Sequence, residues 1–197
     1  MLRPRRAAGP QGHWVVCADE VPNFQVLERH PIRRSVPGSI EQREFDYARH
    51  GTVNILTFLV VHTGRMRAVV LARNDAANYV PALEEFRRRH RRLRGIYLIH
   101  DGGPSHIAGA TADYFDGCRG WWRPRLTPAR ASWLDQAELL IHAFGDRYLK
   151  RSSWCTREVF LDHLAAAWPE YNALYAHPFE WTWTNPRMRR WFERHSA

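Results

Sequence analysis

The chain has 197 residues, 45% of them hydrophobic and 13% aromatic, a composition that excludes a disordered or fibrous protein and predicts one globular domain with its own core. Lys and Arg number 29 against 20 Asp and Glu, and the net charge of +9 favours a polyanionic partner, nucleic acid ahead of an anionic membrane surface. Three scattered cysteines exclude a zinc ribbon or disulfide framework, no apolar run nears the roughly 20 residues of a membrane span, and the basic start lacks a signal peptide's apolar region, so a soluble, cytoplasmic protein is expected.

Residues 1–12 read as a basic, flexible leader. His13 to Ala18 is a short apolar run that predicts a buried strand ending at Asp19-Glu20. Residues 28–51 hold Pro31, Pro37 and Gly38 without a period and predict an irregular loop. Val53 to Val61 and Arg67 to Leu71 predict a hairpin around His62-Thr63-Gly64. Ala76, Tyr79, Val80, Leu83 and Phe86 mark a helix capped by Asn74 or Asp75, with Pro81 either kinking it or lying in its first turn. Gly95 to His100 repeats the first pattern, an apolar strand stopped by an aspartate, Asp101. A helix over 105–115 and an extended segment over 120–126 follow. Trp133, Ala137, Leu140, Ile141, Phe144 and Tyr148 give the clearest helical spacing in the chain, with Ser132 as its cap. A further helix runs from a capping Thr156 to about Tyr175, and a basic tail covers 184–197. Strands alternating with helices predict an α/β layered fold.

Asp19 and Asp101 each close an apolar strand, where ligand sites of open α/β sheets gather, and Glu138 lies at the edge of the apolar stripe of the clearest helix. Three convergent carboxylates repel one another unless a cation sits among them, and hard oxygen donors select Mg²⁺ or Mn²⁺. Two such ions, roughly 4 Å apart, activate a nucleophile on one side of a phosphodiester and stabilise the leaving oxygen on the other. The residues alone also fit plain turn and solvated positions.

The order of the motifs narrows the choice. Cys17-Ala18-Asp19-Glu20, Val26-Leu27-Glu28-Arg29, Tyr47 to Thr52 with its Arg-His-Gly-Thr at a hairpin base, Asp101 to His106, Ser132 to Glu138, and Tyr171-Asn172 with His177-Pro178-Phe179 together resemble the DDE transposases. More narrowly, the chain looks like the mariner-related bacterial insertion sequences of family six-thirty. The separation of 37 residues between Asp101 and Glu138 belongs to that likeness. The resemblance implies an RNase H-like fold, a mixed central sheet flanked by helices, with the catalytic domain over 13–183. It implies Asp19, Asp101 and Glu138 as the metal-binding triad, two Mg²⁺ or Mn²⁺ ions, and cleavage and strand transfer of double-stranded DNA at transposon ends and target. Where the family has asparagine, this chain has Gly102 and Asp135. Family members also carry a helix-turn-helix ahead of the first aspartate, whereas 18 residues precede Asp19, so the expectation is the catalytic half alone, nucleoid-associated, served by a separate helix-turn-helix chain or a homodimer.

Glu20, His106, Asp135 and His142 are the candidates for support around the triad. His106 would either touch the scissile phosphate or anchor its loop. His142 with Asp135 could line a zinc site, which the lack of a second histidine at ligand spacing disfavours. Arg87, Arg88, Arg89, Arg91 and Arg92, with Arg49, His50 and Arg130, are the candidates for phosphate contacts, although the dense run also suits a helix end favoured by its own dipole. The alternative to an active enzyme is a truncated, non-catalytic DNA-binding remnant of such a transposase.

Overall fold

The computed structural model describes residues 12–29, 37, 47–128, 135–150, 152–178 and 185–195. Five strands, β1 (His13–Arg29), β2 (Tyr47–Val60), β3 (Arg65–Leu71), β4 (Gly95–His100) and β5 (Trp122–Leu126), make one mixed sheet in the order β3-β2-β1-β4-β5. β1, β2 and β3 form an antiparallel meander, whereas β4 and β5 add parallel to β1. The helices are α1 (Ala76–Arg89), α2 (Pro104–Ile107), α3 (Gly109–Gly117), α4 (Gln136–Phe144), α5 (Arg157–Leu174) and α6 (Asn185–His195).

The period of two along the strands sorts side chains onto two faces. Val16, Ala18, Leu56, Phe58, Ile96 and Leu98 pack with Tyr79, Leu83 and Phe86 of α1 and Phe115 of α3. On the opposite face, Cys17, Leu59 and Val61 meet Ala137 of α4. Further along that face, Val26, Val53, Ile55 and Met66 meet Phe144 and the α5 residues Phe160, Leu164, Ala167 and Tyr171. Cover on both faces is why the central strands read as nearly unbroken apolar runs.

Several boundaries differ from expectation. β1 does not stop at Asp19-Glu20 but continues to Arg29, paired with β2 as far as Tyr47, so 28–29 and 47–51 are strand rather than loop. One bulge carries it through Pro22 and Asn23, where a pattern of two breaks, Asn23 having φ 52 and donating its backbone N–H to Asn54 Oδ1 at 3.0 Å; a second register shift follows between Gln25 and Leu27, with Gly51 at φ 87 on the β2 side. Pro81 lies inside α1, whose cap is Asp75, accepting from Asn78 N–H at 3.1 Å. The helix expected over 105–115 breaks at Ala108 into α2 and α3 and runs on to Gly117. β5 begins at Trp122 rather than Gly120. α4 is capped by Asp135 and gives way to a π-helical turn at Gly145–Leu149 instead of continuing through Tyr148. The basic tail forms α6 over most of its length. The leader up to residue 11, most of the segment 30–46, Arg130, Ser132 and Trp133 lie outside the described residues.

β3 is an edge strand, and the Asn172 side chain completes it. Its Oδ1 accepts the Met66 backbone N–H at 2.7 Å and its Nδ2 donates to the Met66 carbonyl at 2.6 Å, both buried. One amide thus stands in for one residue of a neighbouring strand and ties α5 to the sheet. Asn172→Ala would orphan a donor and an acceptor, and a loss of about 2–4 kcal/mol in urea unfolding is expected. A loss below about 0.5 kcal/mol would show that water replaces the amide at no cost.

Candidate active site

Parallel pairing of β1 with β4 ends at Cys17 opposite Ile99, and two residues further along each chain stand Asp19 and Asp101. The register therefore brings these two aspartates level, at the point where β4 stops and β1 runs on. Asp19 shares the face of Cys17, the face that α4 covers. Glu138 sits in the first turn of α4, part-buried, on the helix that packs against β1 and β2. Adjacent in sequence, Glu20 alternates to the other face, toward α1 and α2.

The electrostatics record the convergence. The Asp19 carboxyl is pushed up to about 6, by burial first and then by the charges of Glu20, Asp101 and Glu138, against the opposing pull of the Glu20 backbone N–H, which it accepts at 2.9 Å. Asp135 is pushed up to about 7 by burial, with Asp19 and Asp101 adding to it and the Ala137 N–H opposing. Its Oδ1 takes that N–H at 2.9 Å, while Oδ2 is buried with no nitrogen or oxygen partner among the described residues. The neighbouring Cys17 thiol is raised to about 12 by burial and by Asp135, so it stays protonated.

His106 bridges the two faces. Its Nδ1 lies 2.7 Å from Asp101 Oδ1 and its Nε2 lies 2.7 Å from Glu20 Oε1, with the ring fully buried. Ser105 Oγ donates to the same Glu20 oxygen at 3.0 Å, and the Gly103 N–H donates to Asp101 Oδ1 at 2.9 Å. Burial pulls the imidazolium down, but the hydrogen bond and charge of Glu20 and then of Asp101 outweigh it, and the pKa is raised. Ligand atoms of Glu20, Asp101 and His106 lie within 4.8 Å of one another, a spacing open to a metal ion. Both ring nitrogens are already engaged by carboxylates, so the imidazole would have to give up one of these bonds to ligate an ion. His100, buried at the end of β4, packs edge-on against His106 at 4.9 Å, and neither of its nitrogens has a partner among the described residues. Burial, then the His106 charge, lowers it to about 4, so it stays neutral.

Residues 14–160 match the sequence model of the family described as DDE superfamily endonuclease. The chain belongs to this family. Its fold is RNase H-like and matches the Mos1 transposase of the paired-end complex with left transposon end at a TM-score of 0.60 and 20% identity, over 93% of this chain and 55% of that one. The catalytic domain of Mos1 mariner transposase matches at 0.53 and 16% identity, over 81% and 70%. The Mos1 mariner paired-end complex with Mn matches at 0.53 and 17%, over 82% and 48%. The chain thus spans about half the length of the transposase in the paired-end complexes. No curated protein matches the sequence.

Within this member of the family, the expected support residues divide. Glu20, His106 and Asp135 gather around the aspartates, and the burial of His106 makes it an anchor of the Asp101 loop rather than a group facing a phosphate. His142 is exposed on α4 while Asp135 is buried at its cap, so the two do not share a site. Arg87, Arg88 and Arg89 end α1, with Arg87 on Glu84 at 3.3 Å and Arg89 on Glu85 at 2.7 Å. His90 beside them packs at a tilt against Trp14, 5.1 Å between ring centres, and Trp14 lies five residues and roughly 16 Å along β1 from Asp19, so this run, with Arg91 and Arg92 beyond it, occupies the end of the sheet remote from the aspartates. Arg49 and His50 lie on β2, His50 bound to Glu28 at 2.9 Å, near the far end of the hairpin and not beside Asp19, which pairs with Thr57. No expectation covered His100 or Ser105. The signal for His100 was its parity: it shares the face of Ile96 and Leu98.

The residues present fit the divalent ions that the resemblance implies. The donors are carboxylate oxygens, Asp101 Oδ2 makes no hydrogen bond to a described residue, and Asp19 and Asp135, raised first by burial and then by neighbouring carboxylate charge, are groups whose ionised form a cation would favour.

Proposed function

We propose that this chain is a transposase catalytic domain that cleaves DNA and transfers the cut strand, with Asp19, Asp101 and Glu138 holding two Mg²⁺ or Mn²⁺ ions. The observation that carries the reading is the level placement of Asp19 and Asp101 at the end of β4, with the α4 that bears Glu138 packed on the same face. Bound there, the ions would supply Lewis acidity and a metal-activated nucleophile at neutral pH. The protein's own part is positional: His106 and Gly103 N–H fix one oxygen of Asp101, and the Glu20 N–H fixes one oxygen of Asp19. The sequence motifs favour the mariner-related insertion sequences of family six-thirty, and double-stranded transposon ends and target DNA as substrates.

The test is nicking of duplex DNA by the purified chain. Cleavage that needs Mg²⁺ or Mn²⁺ and stops with a chelator supports the reading. A folded protein that binds duplex DNA in a salt-dependent way and never cuts it under either metal would instead be a non-catalytic remnant.

A further inference from the structure

We propose that the open face of β4 and β5, built from Tyr97, Arg123 and Arg125, is a DNA-backbone site that guides a strand to the Asp101 end of the sheet. Trp122 turns into the main core with Ile96 and Leu98, so Arg123 and Arg125 turn to the other face. The register sets Arg123 beside Tyr97 and Arg125 beside Ile99. α4 covers Cys17 and Ile99 on this face through Ala137, and no β5 residue belongs to that cluster among the described residues. Arg125 is exposed, and Arg123 and Tyr97 are partly so.

The guanidinium groups are held in place. Arg123 donates from its Nη1 to the Tyr97 hydroxyl at 2.8 Å, and the guanidinium carbons of Arg123 and Arg125 lie 5.3 and 5.6 Å from the centre of the Tyr97 ring. The His13 ring backs Tyr97 at 5.8 Å. Cations fixed by stacking lose little freedom when an anion arrives, and the planar fork of arginine suits phosphate oxygens. Neither arginine has a carboxylate partner among the described residues, whereas Arg67, Arg87 and Arg89 are all tied to Glu84 or Glu85. Arg125 also lies close to the chemistry. Its strand partner Ile99 is two residues before Asp101, which puts the Arg125 and Asp101 backbones roughly 8 Å apart, two residue rises along the strand and one strand spacing across. Alternate residues on one strand space the two arginines by roughly 6.6 Å, a row that points along the strand toward the aspartates.

β5 is an edge strand, and charge on an edge also blocks pairing with other chains. Exchange of Arg for Glu keeps that protection and reverses the phosphate contact, so the two roles separate. The inference rests on DNA as the substrate but not on cleavage, and binding is therefore measured in chelator. Fluorescence anisotropy with a labelled duplex, over a salt series, compares the wild-type chain with Arg123→Glu/Arg125→Glu. A matched Arg65→Glu/Arg73→Glu variant makes the same charge change on the β3 side of the sheet. The β5 variant is expected to bind at least about tenfold more weakly at ~0.1 M salt, with the slope of log affinity against log salt smaller by about two, one counterion released per contact. Arg123→Gln/Arg125→Gln, a milder exchange, is expected to lose the same slope while keeping the wild-type near-ultraviolet circular dichroism. Equal losses in the β3 and β5 variants, or an unchanged salt slope in either β5 variant, would overturn the site. A wild-type chain that binds through these arginines and never cuts DNA would leave the site standing and remove the catalytic reading instead.

Discussion

Asp19→Asn is expected to lower metal-dependent DNA cleavage on the order of 10³-fold, because losing a metal ligand forfeits several kcal/mol of charge stabilisation in the transition state. The same substitution should make the metal-free protein more stable. The Asp19 carboxyl sits at about 6 in the fold, well above its ordinary value, through burial and the nearby charges of Glu20, Asp101 and Glu138. Between the ordinary value and 6 the folded state therefore holds a proton that the unfolded chain has released, and stability falls as pH rises through that window. Asp135, at about 7, extends the fall to neutrality with the same sign. Asn at position 19 removes this cost, and after discount for solvent a gain on the order of 1 kcal/mol near pH 8 is expected, vanishing near pH 4. Millimolar Mn²⁺ should reverse the ranking by stabilising the wild-type chain and not the variant, since only a folded, complete ligand set gains from mass action. Thermal unfolding across pH, with and without Mn²⁺, reads all three effects. Equal cleavage by the variant would remove Asp19 from the triad, and a metal-free variant less stable than wild type at pH 8 would show that Asp19 supports the fold rather than straining it.

Part of the candidate site is a local pattern in the sequence. Aspartate after an apolar run marks where β4 ends before Asp101; at Asp19 the same pattern marks only the point where the β4 partner of β1 runs out, while β1 itself continues to Arg29. Thr156 and Asp75 announced their helices because a cap needs only the residue itself and the backbone three positions on. Illegible features depend on partners distant in sequence. Pro22 and Asn23 look like a stop, yet β1 runs past them because β2 supplies bulged pairing and β4 has already ended, leaving no ladder for Pro22 to break. Glu20 reads as one half of an acidic doublet. Only the alternation of the strand and the arrival of His106 from α2 show that it serves the opposite face from Asp19. The basic run of α1 is the reverse case: conspicuous in sequence, it ends up at the far end of the sheet with Arg87 and Arg89 on glutamates, while Arg123 and Arg125, separated by a proline, attract no notice until the sheet sets them beside Tyr97.

His106→Ala is expected to cost about 3–5 kcal/mol, among the largest single losses available in this chain, because it leaves Glu20 as a buried carboxylate without its cation. The Glu20 side chain is 9% exposed, so a water entering the vacated space could donate to Oε1 without supplying the imidazolium's charge, and Ser105 alone remains as a protein donor there. Asp101 is half exposed and loses less, keeping the Gly103 N–H. The loss should be pH-dependent in a stated direction. The folded-state pKa of His106 is raised above the unfolded value, so its contribution is full below the unfolded value, near 6.5, and is lost as pH rises through the folded one. The gap between wild type and His106→Ala in urea unfolding should accordingly be widest in mild acid and narrow toward alkaline pH. Glu20→Gln in the same background removes the stranded charge, so the double variant should lie well above the sum of the single losses, a coupling of at least about 1 kcal/mol. Additive losses with no pH dependence would mean that His106 fills space beside Tyr79 and His100 and that the bridge between the two faces contributes nothing. A coupled, pH-dependent loss would instead mean that the protonated imidazole holds the two carboxylates together, fixing one oxygen of Asp101 while the other stays open to the ions proposed to do the chemistry.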